Sequence, residues 1–269
     1  MLKDKIIGFI GTGNMGGAVL RGLLQSGRAE KSNVIASDSD KGKLSALAET
    51  YGVRTAAANT ELLRAADIVV IGVKPYHLDA LLEEIAAASR EGQLFVSIIA
   101  GAPVEKLSAK LHPKAAVVRV MPNTPAAVLA GAAAIYAGKN VPPELLADVV
   151  EIFEGAGKAV VIQNEALMDA VTGLSGSGPA YIFLAIEALS DAGVQLGITR
   201  KESTLLAAQT VYGAAKMLLE TGKSPAELKD MVTTPGGTTA AGLRMLEKGG
   251  FRATIMDAVE AAAARSRNL

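Results

Sequence analysis

The stretch Lys5-Ile6-Ile7-Gly8-Phe9-Ile10-Gly11-Thr12-Gly13-Asn14-Met15-Gly16 decides the fold. A short apolar run ends at three glycines spaced G-x-G-x-x-G, and a helical pattern follows over 15–26. The spacing alone is a weak signal, and its position between strand and helix makes it informative. Gly11 permits the tight turn, Gly13 lets a pyrophosphate approach the backbone, and Gly16 lets the helix lie close to the strand. The helix N-terminus adds free amides and a positive dipole end. Glycines that merely serve a tight turn are the other reading. The stretch predicts a dinucleotide-binding α/β fold with Gly11, Thr12, Gly13, Asn14, Met15 and Gly16 at the cofactor.

The texture on the C-terminal side agrees. Runs rich in β-branched residues at 33–37, 68–73, 94–99 and 116–121 alternate with helical patterns at 41–51, 61–66, 78–89 and 104–111. Nearly continuous apolar runs suit parallel strands covered on both faces. Such alternation implies right-handed crossovers and a doubly wound sheet. Two later runs, 133–136 and 158–162, flank a helical pattern at 143–154 and are expected to extend it.

From residue 164 the strand signal stops and five helical patterns follow. Thr199-Arg200-Lys201-Glu202 and Ser224-Pro225-Ala226-Glu227 have the capping-box form, the second with proline at the first helical position. Residues 179–191 start apolar on nearly all sides, so that helix must be buried all round. A domain of about 100 residues has little interior to hide it. Contact with a second subunit is expected, one well-buried core helix in a monomer being the other reading. The fold class is therefore α/β: a Rossmann-type doubly wound sheet over 1–163, then an all-α domain for substrate binding and dimerisation over 164–269.

Composition removes other classes. The 269 residues hold 27 Lys plus Arg against 27 Asp plus Glu, so nothing in the total favours a nucleic-acid partner. There is no Trp and no Cys, which disfavours a base-stacking surface and excludes disulfides and thiolate sites. His77 and His112 are too far apart in sequence for a local ligand pair, so neither a metal site nor a Ser-His-Asp triad is expected. No segment reads as a signal peptide or membrane span, and a soluble cytoplasmic protein is expected.

Five further segments carry chemistry. Ala36-Ser37-Asp38-Ser39-Asp40-Lys41 ends the second strand. A carboxylate there normally binds both ribose hydroxyls and repels a 2′-phosphate, so Asp38 would favour NADH. Ser37, Ser39 and Lys41 could instead hold a phosphate with Asp38 turned away, or an acid could simply cap the next helix. NADPH and NADH both stay open. Val73-Lys74-Pro75 and Met121-Pro122-Asn123-Thr124-Pro125 end two more strands at the ligand crevice, or are ordinary turns.

Thr233-Thr234-Pro235-Gly236-Gly237-Thr238-Thr239 precedes a helix and reads as a cradle for a small anion such as a carboxylate, or as a capped turn. Leu174-Ser175-Gly176-Ser177-Gly178-Pro179 is flexible and polar yet introduces the most apolar helix. It reads as a close backbone approach to a ligand, or as a tight interhelical turn.

Taken together, these motifs resemble the pyrroline-5-carboxylate reductase family essentially end to end. The resemblance is carried by Phe9-Ile10-Gly11-Thr12-Gly13-Asn14-Met15, Val73-Lys74-Pro75, Met121-Pro122-Asn123-Thr124-Pro125, the run from Asp169 to Tyr181, and Thr234-Pro235-Gly236-Gly237-Thr238-Thr239. It implies reduction of the cyclic imine 1-pyrroline-5-carboxylate to L-proline with NADPH or NADH, and a homodimer through the helical domain, with larger rings of dimers in the family. It implies that Thr234, Gly236, Gly237, Thr238 and Thr239 hold the substrate carboxylate, with Thr239 the proton donor or imine anchor. Ser175, Gly176, Ser177 and Gly178 lie near that site by the same likeness, and Asn59 matches a cofactor-contacting asparagine. Thr234 stands where some members have serine, which keeps the hydroxyl. Two rivals are a β-hydroxyacid-type dehydrogenase, which would need a base such as lysine on the helical half, and a non-catalytic nucleotide-sensing module.

Overall fold

The computed structural model describes residues 2–268. Strands and helices alternate as β1 (Ile7–Ile10), α1 (Asn14–Gln25), β2 (Val34–Ser37), α2 (Lys41–Tyr51), β3 (Arg54–Thr55), α3 (Asn59–Ala65), β4 (Ile68–Ile71), α4 (Leu78–Ala86), β5 (Leu94–Ser97), α5 (Val104–Ser108) and β6 (Ala116–Met121). Then come β7 (Gly131–Ala137), α6 (Pro143–Glu154) and β8 (Gly157–Val161). The helical part follows as α7 (Met168–Val171), α8 (Gly178–Gln195), α9 (Arg200–Thr221), α10 (Pro225–Met231), α11 (Thr238–Lys248) and α12 (Phe251–Ser266).

The strands form one sheet in the order β3-β2-β1-β4-β5-β6-β7-β8. All neighbours are parallel except β6 with β7. Order reverses between β2-β1 and β4, the switch point where α/β folds place ligands outside the strands' carboxyl ends. The doubly wound sheet is thus present as expected. Strand β3 was not anticipated, because its two residues, Arg54 and Thr55, are both exposed at the sheet edge and carry no apolar signal.

The sheet separates two cores by strand period. Ile7 and Phe9, Val34 and Ala36, Ile68 and Val70, and Leu94 and Val96 pack with residues of α1, α2 and α6. Ile10, Ile35, Val69, Ile71 and Phe95 pack with residues of α3, α4 and α5. Successive side chains point to opposite faces, so buried strands must be apolar at every position.

By compactness the chain forms one unit of Met1–Ser177 with Ala261–Leu269 and another of Gly178–Glu260. These bounds differ from the 163/164 division read from strand content. Helix α7 and the turn after it are helical yet belong with the sheet unit, and so does the last turn of α12, where Ser266 Oγ donates to Asp169 Oδ1 at 2.7 Å.

In the second unit, α8 and α9 are joined by polar contacts. Ser203 Oγ donates to the Ser190 carbonyl at 2.7 Å, and Arg200 Nη1 donates to Ser190 Oγ at 2.9 Å. The apolar start of α8 is not buried within this chain: Phe183 is 64% exposed and Leu184 67%.

Candidate functional site

The first strand delivers the chain directly into the glycine turn. Gly11 adopts φ +87°, a conformation open to glycine, and its N–H donates to the Ser37 carbonyl at 2.9 Å. A Cβ on Gly16 would collide with the Gly11 carbonyl oxygen, so only glycine lets α1 start this close to the turn. A Cβ on Gly13 would meet nothing within 4 Å. Gly13 is the N-cap of α1 and no side chain caps the helix, which leaves first-turn amides for an anion.

A cleft of about 400 Å³ opens here, lined among others by Gly11, Gly13, Ser37, Asp38, Asn59, Val73 and Lys74. Seven of the residues expected at a cofactor therefore face one space. Thr12 is buried beneath it, Asn14 is exposed at the helix start, and Met15 packs against the apolar core. Pro75 opens a tight turn, Pro75–His77, that leads into α4. Ser39, read from the sequence as able to hold a phosphate, lines the same cleft, and sequence reasoning missed Lys43, His77, Ala80, Leu81 and Glu84, which line it too. A signal was available: His77, Ala80, Leu81 and Glu84 recur at i, i+3, i+4 and i+7 directly after Val73-Lys74-Pro75, which is one face of a helix.

The end of β2 has a definite hydrogen-bond pattern. Thr12 donates to Asp38 Oδ2 twice, from its N–H at 2.7 Å and its hydroxyl at 3.0 Å. Asp40 N–H donates to Asp38 Oδ1 at 3.0 Å. Burial pushes the Asp38 carboxyl up, but the bonds from Asp40 and Thr12, with the Lys43 ammonium nearby, outweigh it and hold the group below the ordinary carboxylate range. Asp40 caps α2, accepting from Gly42 N–H at 3.0 Å and Lys43 N–H at 3.1 Å. Ser37 Oγ donates to Asn59 Oδ1, and Asn59 Nδ2 donates to Glu84 Oε2 at 3.0 Å.

Asn123 does not line this cleft. It is buried, its Nδ2 donates to the Ser175 carbonyl at 3.1 Å, and its Oδ1 accepts from Ala132 N–H at 2.8 Å. Ser175 and Gly176 lie in a π-turn over Thr172–Gly176, where Ser177 N–H reaches back five residues to the Thr172 carbonyl at 2.8 Å. The first half of the segment read as a close backbone approach to a ligand or as a tight interhelical turn is thus regular. A Cβ on Gly176 would lie 2.7 Å from Met121 Cε, so the turn packs closely on the end of β6. Such π-turns inside helices often mark functional positions.

In the second unit, the loop between α10 and α11 has the other expected geometry. Gly236 adopts φ +68°, and Gly237 N–H donates to the Thr234 carbonyl at 3.0 Å. Gly237 is the N-cap of α11, again with no capping side chain. A Cβ there would collide with Thr234 Oγ1. Thr238 and Thr239 open the helix, so amides and hydroxyls are concentrated at one helix start. Gly178 opens α8 in this same unit.

No group of three or more His, Asp or Glu among the described residues is arranged to hold a metal ion. None of the described helices is long and apolar enough to cross a membrane.

A glycine turn at the switch point of a doubly wound sheet, opening into one cleft, defines a Rossmann-type dinucleotide-binding oxidoreductase fold. Comparison with known proteins narrows this. Residues 165–269 match the family described as pyrroline-5-carboxylate reductase dimerisation, and residues 6–101 match one described as NADP oxidoreductase, coenzyme F420-dependent. The chain is 46% identical over 268 residues to pyrroline-5-carboxylate reductase of Methanosarcina acetivorans, covering 100% of this chain and 99% of that one. It is 42% identical over 266 residues to the enzyme of Escherichia coli, covering 99% and 98%. A solved pyrroline-5-carboxylate reductase from Coxiella burnetii superposes with a TM-score of 0.94 at 36% identity, covering 98% of each chain. The Plasmodium falciparum pyrroline carboxylate reductase, solved with NADP bound, gives 0.87 at 35%, covering 99% and 98%. The chain belongs to the pyrroline-5-carboxylate reductase family.

Proposed function

We propose that this protein reduces 1-pyrroline-5-carboxylate to L-proline with NADPH or NADH, the last step of proline biosynthesis. The observation that carries this reading is likeness to named reductases through both halves of the chain at once, 46% over 268 residues. The cofactor fits the residues present: the open space at Gly13, the uncapped start of α1 and the cleft along Ser37, Asn59, Val73 and Lys74 suit a dinucleotide. A bound reduced nicotinamide supplies a hydride to the imine carbon.

The chain's own work is to bind and orient. Amides at the start of α11 and the Thr234 and Thr238 hydroxyls hold the substrate carboxylate. The Thr239 hydroxyl holds the ring nitrogen. Ser175, Gly176, Ser177 and Gly178 contribute backbone and hydroxyl groups to substrate binding, and Asn123 fixes the Ser175 carbonyl. A protonated imine is already electrophilic, so no metal or covalent nucleophile is required, and orientation alone can be worth roughly 7–11 kcal/mol. A β-hydroxyacid dehydrogenase or a silent nucleotide sensor is not favoured, because named relatives of full length are reductases.

Residues 164–269 act as the substrate-binding and dimerisation domain in this reading. The exposed Phe183 and Leu184 on α8 are covered by a second copy, and dimers join into a larger ring. A cytoplasmic location belongs to the same proposal. Mixing the protein with pyrroline carboxylate and each reduced cofactor should lower the reduced-nicotinamide absorbance. Folded protein that turns over with neither cofactor overturns the reading.

A further inference from the structure

Residues 165–176 lead into and through the π-turn, and they are held at three places. At the start, Glu165 Oε1 accepts from Arg119 Nη1 on β6 at 3.2 Å and from Val104 N–H at 2.8 Å. At the end, Asn123, just beyond β6, holds the Ser175 carbonyl. Between these anchors, Asp169 Oδ1 accepts from Ser266 Oγ at 2.7 Å, across 97 positions of sequence.

Ser266 uses its hydroxyl differently from other helical residues of this chain. Thr172, Ser175, Thr210 and Thr221 each donate to the carbonyl four residues back. Such back-bonding is a common choice for a hydroxyl inside a helix. Ser266 is 4% exposed, and its hydroxyl leaves its own helix for a carboxylate. A hydroxyl–carboxylate bond of this length is charge-assisted and stronger than a neutral one. Ala263 and Ser266, one turn apart, are the buried residues of α12, so its final turn is the part that is docked.

What this bond can move is the π-turn. Helix α7 is a single turn and runs directly into Thr172–Gly176. Thr172 Oγ1 donates to the Met168 carbonyl at 2.9 Å, and Ser177 N–H closes on the Thr172 carbonyl at 2.8 Å. A shift at Asp169 therefore reaches Ser177 through two short hydrogen bonds.

Resting on the reading of this chain as an imine reductase whose π-turn meets the substrate, we propose that Asp169 and Ser266 are positioning residues: their bond sets where Ser175, Gly176 and Ser177 stand, and so sets affinity for the imine. They act through the turn rather than by touching substrate or cofactor.

Steady-state kinetics of the whole protein, together with amide hydrogen exchange at Ser177, separates positioning from stability. Ser266→Ala should raise KM for pyrroline carboxylate about tenfold, change kcat less than about threefold and leave Kd for NADPH and NADH within about twofold. A variant that merely left a fraction of the protein unfolded would lower kcat and keep KM. Exchange at Ser177 should quicken about tenfold while β4 amides keep their rates. Ser266→Thr retains the hydroxyl and should return KM to within about twofold of wild type. Asp169→Ala should match Ser266→Ala, and the double variant should be no worse than either single one. Asp169→Asn keeps an acceptor oxygen, should raise KM about threefold, and serves where an alanine variant fails to fold. Asp148→Asn, which breaks the partly buried ion pair with Lys5, should lower Tm and leave KM unchanged.

An unchanged KM in Ser266→Ala, an equal loss of cofactor affinity, or additive losses in the double variant would each overturn the proposal. Wild-type protein that does not reduce the imine would sink the reductase reading. The exchange at Ser177 then decides the positioning of the turn by itself, and an unchanged rate in Ser266→Ala sinks that too.

Discussion

The two compact units treat apolar surface in opposite ways. In the sheet unit every β1, β2, β4 and β5 residue is buried, and both faces are covered by helices of the same chain. In the unit Gly178–Glu260, helix α8 buries only Ser190, while Phe183, Leu184, Leu189 and many other large apolar residues stay exposed. The first unit buries its central strands under its own helices, whereas the second leaves many large apolar side chains exposed, as expected of a face that meets another chain. One chain thus combines a sheet unit built around two buried cores with a helical unit rich in exposed apolar side chains.

Paired substitutions can break this contrast. Phe95→Ala, in the sheet core, should cost about 3–5 kcal/mol in urea unfolding, at any protein concentration. Phe183→Asp should instead convert the assembly to monomers in light scattering and remove the concentration dependence of Tm. A variant that still dimerises would place the interface elsewhere.

The two glycine turns invite a second comparison. Gly16→Ala forces a Cβ against the Gly11 carbonyl oxygen and should weaken NADPH binding roughly a hundredfold by fluorescence titration. Gly236→Ala strains a φ of +68° by about 1–2 kcal/mol and should raise KM for the imine while sparing cofactor affinity. If both variants alter the same constant, the division of roles between the turns fails.

A smaller change tests the assigned hydroxyl. Thr239→Ala should lower kcat/KM for the imine by roughly ten- to a hundredfold, with cofactor Kd nearly unchanged, as expected for one hydrogen bond to a charged group. Thr239→Ser should recover most of it.

The smallest effect is a pH dependence confined to the sheet unit. Asp38 has a folded pKa below its unfolded value, so its contribution to stability is present above about pH 4 and is lost as pH falls through the folded value. The Tm gap between wild type and Asp38→Asn should stay constant from neutral pH down to about pH 5 and narrow below it. A gap that widens on acidification would contradict the sign.

Much of this was legible in the chain. The apolar runs identified the long strands because burial on both faces demands it, and the glycine spacing located the turn because Gly11 and Gly16 meet backbone a side chain would strike. Strand β3 was hidden because pairing by backbone alone leaves no apolar pattern at Arg54 and Thr55. The π-turn at Thr172–Gly176 was hidden because its closeness to Met121 joins residues about fifty positions apart in sequence.

Sequence by itself determined the order of elements, the place of the cofactor turn and the excess of apolar residues on α8, since these follow from local periodicity and the steric demands of single residues. Only the tertiary structure decided where the Asp38 carboxylate points, which walls complete the cleft and where the compact units divide. Those depend on donors and surfaces that are distant in the chain and meet only once the sheet has formed.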